Sequence, residues 1–448
     1  MNAHACCEAL IPQRQERAGS LVTRRNRLLI GAAFLATLVL PLAPLTALAE
    51  QRPTPPDLPP TELARQSIDQ DPAVLEARHA LSAAGHAGAA LRVGSHEWTT
   101  KVAAHRRRYG NSGSGSNGGN SNEWTASLER TIRIGGKAGI DAQLGDNELL
   151  IGQARIGEAR HEAARALANR WIDAQATSRQ RELWAEQLSF AQASHQAVDK
   201  RRQAGDASVL DLNVARADLV EVQRQLSAAT SAEAKAKAQL AVRFPTLKYE
   251  PKSLAEPAAL EMSLAQWRDR ILAESDPIKV AEGLLKKAEL SAARATADRI
   301  PDPTVGVYTA SEAFRNERII GLSVSIPLSG SYRKERMQQA LQEVEAARAR
   351  LERQKRDEEA EIVEAYADAA AGLERWRLAS QALVITRDNA RLMQRAYTLG
   401  EDDLQTLLLT RRQALDASTA TEQARVDALR SHHRLLLDAH LIWALEED

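Results

Sequence analysis

Cysteine, aromatic side chains and net charge are all scarce in this sequence of 448 residues. Both cysteines, Cys6 and Cys7, lie near the amino terminus, so the rest of the chain has no disulfide, thiolate metal site or cysteine nucleophile. The 59 basic and 59 acidic residues cancel, which argues against nucleic acid or an anionic surface as the main partner. Aromatic residues form 4% of a chain that is 44% hydrophobic, and much of that apolar count is alanine. This composition favours thin seams between helices over a thick globular core.

The amino-terminal segment has the pattern of an export signal. Three arginines in 24–27 precede an apolar run over 28–48, and Ala47-Leu48-Ala49 fits a small-x-small cleavage site. We therefore expect a signal peptide at 1–49 and a proline-rich linker at 50–60. A membrane anchor is the alternative, because the run is about long enough to span a bilayer. No later apolar run approaches that length, which leaves a soluble protein or a β-barrel.

One pattern of elements occurs twice after the linker: a short helix, two strands, a very long helix, a turn and a returning helix. The expected first repeat covers 61–243 and the second covers 276–448, with a connector at 244–275 that holds one short helix. The strands are expected at about 97–109, 123–134, 303–310 and 318–328, the long helices at about 138–204 and 333–399, and the returning helices at 208–243 and 402–445. A helix of about 65 residues would be about 100 Å long at 1.5 Å per residue.

The last strand alternates between two kinds of side chain. Its apolar side carries Ile320, Leu322, Val324 and Ile326, and its small, polar side carries Gly321, Ser323 and Ser325. Thr125, Ser127 and Thr131 form a similar polar side in the second strand. We expect the apolar side of the last strand to face lipid, and the two polar sides to line a lumen.

Four strands of about ten residues have the length of outer-membrane strands. A four-stranded sheet has two open edges, and hydrocarbon does not tolerate the unpaired amides of an edge. The chain is therefore expected to form a closed barrel from several copies. Two copies would give eight strands filled by side chains, whereas three would give twelve strands and an open lumen.

The sequence resembles the TolC-type outer membrane efflux family over about 62–443. The resemblance rests on the duplicated pattern, on Ile134-Gly135-Gly136-Lys137 after the second strand, and on the turns at 203–212 and 397–404. Within 301–328, PDPTVGV and ERIIGLSVSIPL are most similar to the branch that exports heavy-metal cations of the cobalt–zinc–cadmium type.

This resemblance implies a mainly α-helical protein with a membrane β-barrel. The implied assembly is a homotrimer with a twelve-stranded barrel, four strands per protomer, in the outer membrane lipid of a Gram-negative bacterium, and a helical tunnel that extends into the periplasm. The implied partners are a periplasmic adaptor (membrane fusion) protein and a proton-driven inner-membrane pump of the resistance-nodulation-division type. No cofactor and no nucleic acid is implied.

The two turns between long and returning helices are the candidate adaptor contacts. By the resemblance these are Gly205, Asp206, Ser208, Val209, Gly400, Glu401, Asp402 and Leu404. Each glycine is equally explained as a helix C-cap followed by an acidic N-cap, and both roles can hold at once.

The family also narrows its tunnel near these turns with rings of carboxylates on the returning helix. In the second repeat Thr406 and Leu409 stand where acids would be expected, whereas the first repeat keeps Asp211. The candidate constriction is therefore Asp211, Asp403 and Thr406, with Glu401 and Asp402 as further acids that a ring could use to attract cations.

Catalysis and metal binding have no candidate in the sequence. His433 and His440 are seven residues apart on an apolar seam of the last helix, so we expect them to be packed rather than to bind metal. Gly135-Gly136-Lys137 lacks the spacing of a phosphate-binding loop, and no nucleophile and base stand in a recognisable pattern. We therefore expect a protein that is not an enzyme and has no metal or cofactor.

These observations predict an outer-membrane exit duct of a tripartite efflux system, with divalent heavy-metal cations as the expected cargo. A duct for drug efflux or for type I protein secretion remains an alternative within the same class. A soluble periplasmic coiled-coil scaffold is the alternative outside it, and it would have exposed loops in place of the four strands. A lytic or cell-surface helical protein would lack the duplicated hairpins.

Overall fold

The computed structural model describes residues 53–110, 118–250, 252–328, 330–443 and 445. The predicted signal peptide and both cysteines lie outside these residues. Within them the chain has the following elements in order: α1 Thr61–Asp69, α2 Pro72–Val93, β1 Thr99–Arg108, β2 Asn120–Thr131, α3 Lys137–Gln203, α4 Val209–Arg243, α5 Leu264–Glu274, α6 Asp276–Ala297, β3 Thr304–Glu312, β4 Glu317–Ser325, α7 Ser331–Leu399 and α8 Leu404–Asp438. A 3₁₀ turn at Ala313–Arg315 joins β3 to β4. The prediction of a mainly helical fold with a small antiparallel sheet is confirmed.

Helix α3 has 67 residues and α7 has 69, and neither contains a proline. Helices α2, α4, α5, α6 and α8 begin at side chains that accept hydrogen bonds from backbone N–H groups. Asp71 accepts from the backbone N of Ala73 at 3.0 Å with Pro72 as the next residue, and Ser208 and Asp211 form a capping box at the start of α4. No helix in the described part of the chain combines the length and apolar character needed to cross a membrane.

The four helices of the two long hairpins pack side by side in the order α4, α3, α8, α7. Helices α3 and α8 are therefore the inner pair, and α4 and α7 lie at the two ends of the row. The largest apolar core lies about midway along the helices and includes Trp171, Trp267, Leu437 and Trp443. A smaller core of Val198, Ala215, Leu404 and Leu407 lies near the turns.

The last helix is shorter than expected. Helix α8 ends at Asp438, and His440 takes a left-handed φ of +55°. The backbone N of Leu441 donates to the O of Leu436 at 2.9 Å, which closes the helix end in a Schellman turn. His433 lies on α8 and is buried, but the prediction that His440 shares its helical seam is wrong.

The described part of the expected linker, 53–60, packs into the central core. Asp57 and Leu58 are buried, and the indole N–H of Trp171 donates to the O of Asp57 at 2.8 Å. The indole N–H of Trp443 donates to the O of Pro59 at 3.1 Å. The extended backbone of a proline-rich segment leaves its carbonyls free, and here buried indoles satisfy them.

The sheet has the order β1-β2-β3-β4, and every neighbouring pair is antiparallel. Strands β1 and β4 are consequently its two edges. Strands β2 and β3 pair across the two repeats, with Leu128 opposite Val307. The two hairpins therefore form one continuous sheet within a single protomer.

Candidate pore wall and helical turns

The strand register places all six predicted lumen residues on one face of the sheet. Ser127 lies opposite Tyr308, and Tyr308 lies opposite Gly321. The hydroxyl oxygens of Thr131 and Thr304 are 2.8 Å apart on the same face. The face holds Thr125, Ser127 and Thr131 from β2 and Gly321, Ser323 and Ser325 from β4. We call it the polar face.

The ring of Tyr308 explains why residue 321 is a glycine. A Cβ at Gly321 would lie 2.6 Å from the ring of Tyr308, so any larger residue would collide with the ring. The sequence pattern did not identify Tyr308 as a member of the polar face, whereas it placed Glu129 on the same side of the second strand as Ser127 and Thr131. Tyr308 can be assigned to this face only when the register of β3 against β2 is known, because each strand alone can be aligned in two ways.

The opposite side of the sheet, which we call the apolar face, has no cover within the protomer. Ile320 is 87% exposed and Leu322 is 82% exposed, and Val102, Val307 and Val324 are exposed on the same side. Ile326 is also exposed but lies one residue beyond the end of β4. A contiguous apolar surface of this kind marks a region that contacts lipid or another protein.

A buried glutamate organises the end of the sheet at the β3–β4 turn. The side chain of Glu123 is inaccessible, and its Oε1 accepts from the Tyr109 hydroxyl at 2.8 Å and from the backbone N of Ala313 at 3.2 Å. Arg107 Nε lies 3.1 Å from Glu123 Oε2. The turn that Glu123 holds has three consecutive non-glycine residues with φ of +47°, +58° and +69°, at 313–315. No sequence motif indicated this arrangement.

Two motifs singled out in the sequence meet where the sheet joins the helices. Lys137, which follows the glycine pair, is buried, and its Nζ donates to Asp302 Oδ1 at 2.8 Å and to the O of Ile300 at 2.7 Å. The backbone N of Ile134 donates to the same Asp302 oxygen at 2.9 Å. Lys137 therefore ties the first repeat to the Pro-Asp-Pro segment of the second, which is a structural role rather than phosphate binding.

The two long helices end in the same way. Asp206 N donates to Arg201 O at 2.8 Å, and Glu401 N donates to Ala396 O at 3.0 Å. Gly205 and Gly400 have φ of +82° and +78°, the left-handed conformation that glycine adopts without a steric cost. The C-cap interpretation of both glycines fits this geometry, and both turns are also exposed.

Two candidate constriction acids act as helix caps in the protomer. Asp211 Oδ2 accepts from the backbone N of Ser208 at 3.0 Å and from its hydroxyl at 2.8 Å, and these bonds hold the pKa of Asp211 below its usual range. Asp403 accepts from the backbone N of Thr406 at 2.7 Å, and bonds from Thr406 likewise lower the pKa of Asp403. Both groups therefore carry negative charge at neutral pH.

The remaining turn residues differ between the repeats. Val209 is 60% exposed, whereas Leu404 is 4% exposed and packs in the smaller core. Arg201 pairs with Asp206 at 2.8 Å, and its guanidinium lies over the ring of Tyr397 with a hydrogen bond of 3.1 Å to the hydroxyl. Arg201 thus joins the turn of the first repeat to the end of α7.

The described residues contain no group of three or more histidine, cysteine, aspartate or glutamate side chains that could hold a metal ion. His433 is buried with its Nε2 3.7 Å from Asp57 Oδ1. Burial, aided by the neighbouring His432, lowers the pKa of His433 to about 3. Burial raises the pKa of Asp57.

Comparisons with known proteins agree with this geometry. Residues 267–437 match the family model for "Outer membrane efflux protein". The outer-membrane channel OprN has a similar structure, with 20% identity, a TM-score of 0.72, and coverage of 86% of this chain and 90% of that one. The outer membrane protein VceC from Vibrio cholerae has 18% identity and a TM-score of 0.67, with coverage of 86% of this chain and 95% of that one.

A third similar structure is CusC, a transmembrane channel, with 16% identity, a TM-score of 0.64, and coverage of 85% of this chain and 91% of that one. A comparison with curated proteins found no match. The fold of this chain is therefore that of outer-membrane efflux channels. The expected location, an outer membrane with helices extending into the periplasm, agrees with these matches.

Proposed function

We propose that this chain is a passive exit duct of the outer membrane and works in a tripartite efflux system. One observation carries the proposal: a sheet with one uncovered apolar face and two open edges continues into helices of 67 and 69 residues. Lipid would cover the apolar face. The open edges need strands from other copies, because unpaired backbone amides are costly in hydrocarbon.

The proposed assembly is a homotrimer with a barrel of twelve strands. Edge strand β1 of one copy would pair with edge strand β4 of the next, and the polar face would line the lumen. The end helices α4 and α7 would meet across the same boundary. Helix α7 supports this arrangement, since it exposes Leu378, Val384 and Ile385 along a helix that is otherwise rich in charge.

The proposed partners are a periplasmic adaptor protein and a proton-driven inner-membrane pump of the resistance-nodulation-division type. The exposed turn residues Gly205, Asp206, Ser208 and Val209, together with Gly400, Glu401 and Asp402, are the proposed adaptor contacts. Leu404 is buried within the protomer, so it would support its turn from beneath. The ionised Asp211 and Asp403, repeated by threefold symmetry, are the proposed acidic constriction, and Thr406 anchors Asp403 there.

Divalent heavy-metal cations are the proposed cargo. The segment at 301–328 supports this assignment by its resemblance to the cation-exporting branch, and acidic rings attract cations. Organic drugs or a secreted polypeptide are the alternatives, because the pump selects the solute in such systems. Deletion of the gene followed by growth on zinc, cadmium or a panel of drugs separates them. Loss of metal tolerance alone supports the cation assignment, whereas loss of drug tolerance alone contradicts it.

The membrane role is tested by a pair of matched arginine substitutions. Leu322 on the sheet and Val242 on α4 are both exposed and apolar. An arginine on a lipid-facing strand costs about 2–4 kcal/mol near the bilayer midplane. We therefore expect Leu322→Arg to abolish outer-membrane trimers and Val242→Arg to leave membrane insertion intact. Recovery of the unmodified chain as a soluble periplasmic monomer, without detergent, would instead favour the coiled-coil scaffold.

A further inference from the structure

Two histidines from different repeats meet beside the central core, away from the pore wall and the turns. His161 lies on α3, and His440 follows the end of α8. Their Nε2 atoms are 2.6 Å apart, and their ring centroids are 4.3 Å apart. Two imidazole nitrogens can approach this closely only when one carries a hydrogen and the other presents its lone pair. The two Nε2 atoms therefore share a single hydrogen.

The backbone at His440 shows that the helix end does not require a histidine. Its φ of +55° places it in the left-handed position of a Schellman turn, where Gly205 and Gly400 stand in the two other turns described above. A left-handed conformation is costly for a residue with a Cβ. Glycine would close the helix without that cost, so the backbone at this position does not account for a histidine.

We propose that His161 and His440 form a binding site for a divalent transition-metal ion of the type that imidazole ligates, such as Cu²⁺, Ni²⁺ or Zn²⁺. The ion takes the place of the hydrogen between the two Nε2 atoms, and that hydrogen moves through solvent to Nδ1 of the same ring, so no net proton is released. Each ring then keeps its hydrogen on Nδ1, and water completes the coordination. At metal–nitrogen distances of about 2.0–2.1 Å, two tetrahedral ligands are about 3.3 Å apart, so the rings need to separate by less than about 1 Å.

Burial keeps the ring of His161 in the form that metal ions bind. Burial, with the charges of His440, Arg165 and Lys279, lowers the pKa of His161 to about 3, so this ring is neutral at physiological pH. Metal ions bind the neutral form of imidazole.

The two nearby cations would repel an incoming ion, but each is paired with a carboxylate. Arg165 Nε lies 2.7 Å from Asp438 Oδ1, and Lys279 Nζ lies 3.0 Å from Glu274 Oε2.

An open cleft gives an ion and its water access to His440. The cleft has a volume of about 550 Å³ and is also lined by Asp276 and Glu282. The carboxylate of Asp276 lies against Gly157, one helical turn before His161, where an added Cβ would be 2.7 Å from Oδ1 and closer still to the carboxyl carbon and Oδ2. Two further cations, Arg160 and Lys286, line the same cleft and are paired with Asp69 at 3.1 Å and with Glu289 at 3.7 Å.

The site would join the two repeats, because His161 lies on α3 of the first repeat and His440 follows α8 of the second. An ion that binds only the folded protein raises its stability by mass action. The inference is independent of the proposed efflux role, since it concerns metal bound by the purified chain whatever solute the duct carries.

Cu²⁺ is the best probe, because it binds nitrogen ligands most tightly among these ions and has an electron paramagnetic resonance signal. We expect the purified full chain to bind one Cu²⁺ per protomer, with hyperfine coupling to two imidazole nitrogens and a higher melting temperature. His161→Ala is expected to weaken binding at least about tenfold. His86→Ala removes an exposed histidine on α2 and serves as the matched control, with no expected change.

His440→Gly separates metal binding from folding. Glycine fits the left-handed turn, so we expect this variant to fold at least as well as the original chain in the absence of metal. Its melting temperature should no longer respond to Cu²⁺. The proposal is overturned if His161→Ala or His440→Gly binds Cu²⁺ as tightly as the unmodified protein, or if the signal shows no coupling to two imidazoles.

Discussion

The half of α3 nearest its turn and the corresponding half of α7 are equivalent in the two repeats but have opposite surroundings. Leu183 and Leu378 stand the same number of residues before the turn glycines Gly205 and Gly400. Leu183 is 4% exposed, whereas Leu378 is 56% exposed. Nearer the central core, the equivalent residues Leu167 and Ile362 are both buried. The repeats therefore share a packed centre and diverge towards the turns.

The position of each helix in the row explains the difference. Helix α3 lies between α4 and α8, whereas α7 lies at the end of the row. In the first repeat the long helix α3 is an inner helix of the row, whereas in the second repeat the returning helix α8 is the inner one. An apolar residue at an end position is therefore not a defect of the core. In the proposed trimer, another copy of the chain would cover it.

The largest expected effect is at the buried member of the pair. Leu183→Ala removes a side chain that its own protomer encloses, so we expect it to lower the free energy of unfolding by about 2–5 kcal/mol. Denaturant unfolding of the helical signal of the purified protein measures this change. A cost below about 1 kcal/mol would show that α3 is not enclosed within the protomer.

The turns should behave alike even though the helices that carry them differ. Gly205→Ala and Gly400→Ala both place a Cβ on a left-handed residue, with no other atom within 4 Å of it. Only backbone strain is then involved, and each substitution should cost about 1–2 kcal/mol. Local hydrogen exchange at each turn measures the cost. A clearly smaller cost at one turn would show that the two ends are not equivalent.

The capping box of the first repeat gives a pH-dependent effect. The pKa of Asp211 is lower in the folded protein than its usual value of 3.8, because Ser208 donates two hydrogen bonds to the charged form. Its stabilising contribution is therefore complete above pH 3.8 and is lost as the pH falls through the lower folded value. Ser208→Ala should cost about 1 kcal/mol at neutral pH and less in acid. Hydrogen exchange over the 204–212 segment at several pH values tests this, and a cost that does not change with pH would contradict it.

The smallest expected effect on folding is at the exposed member of the pair. Leu378→Ala should change the unfolding free energy of the isolated protomer by no more than about 0.5 kcal/mol. It should nevertheless reduce the fraction of trimer, measured by light scattering at low protein concentration in detergent. If Leu378→Ala destabilised the protomer as strongly as Leu183→Ala while leaving the oligomeric state unchanged, the comparison would fail.

Local signals in the sequence were sufficient to predict most elements and the composition of the two sheet faces. Glycine at the turns and the alternation around Leu322 act over a few residues, and tertiary packing does not override them. The predicted end of α8 was too late in the sequence, because His440 occupies the left-handed position where a glycine usually marks the end of a helix. The network around Glu123 depends on strand register, which no single strand reveals.

The burial of individual candidate residues at the turns could not be predicted from the sequence either. Val209 and Leu404 occupy equivalent positions and have similar character, yet one is exposed and the other is buried. The difference comes from the order of the helices in the row, which is a property of the whole chain. The proline-rich segment around Asp57 likewise has no local pattern that predicts its burial by Trp171 and Trp443, because these contacts also depend on the fold of the whole chain.

The hydrogen bond from Trp443 to Pro59 joins residues 384 positions apart in the sequence. A contact of this separation forms late, since the chain between its ends must be ordered first. If the predicted signal peptide directs export from the amino terminus onwards, the part of the chain that has crossed the inner membrane first would lack Trp443 and could not complete the central core. The segment that follows α8 would then close the core last, after the rest of the protomer had been delivered.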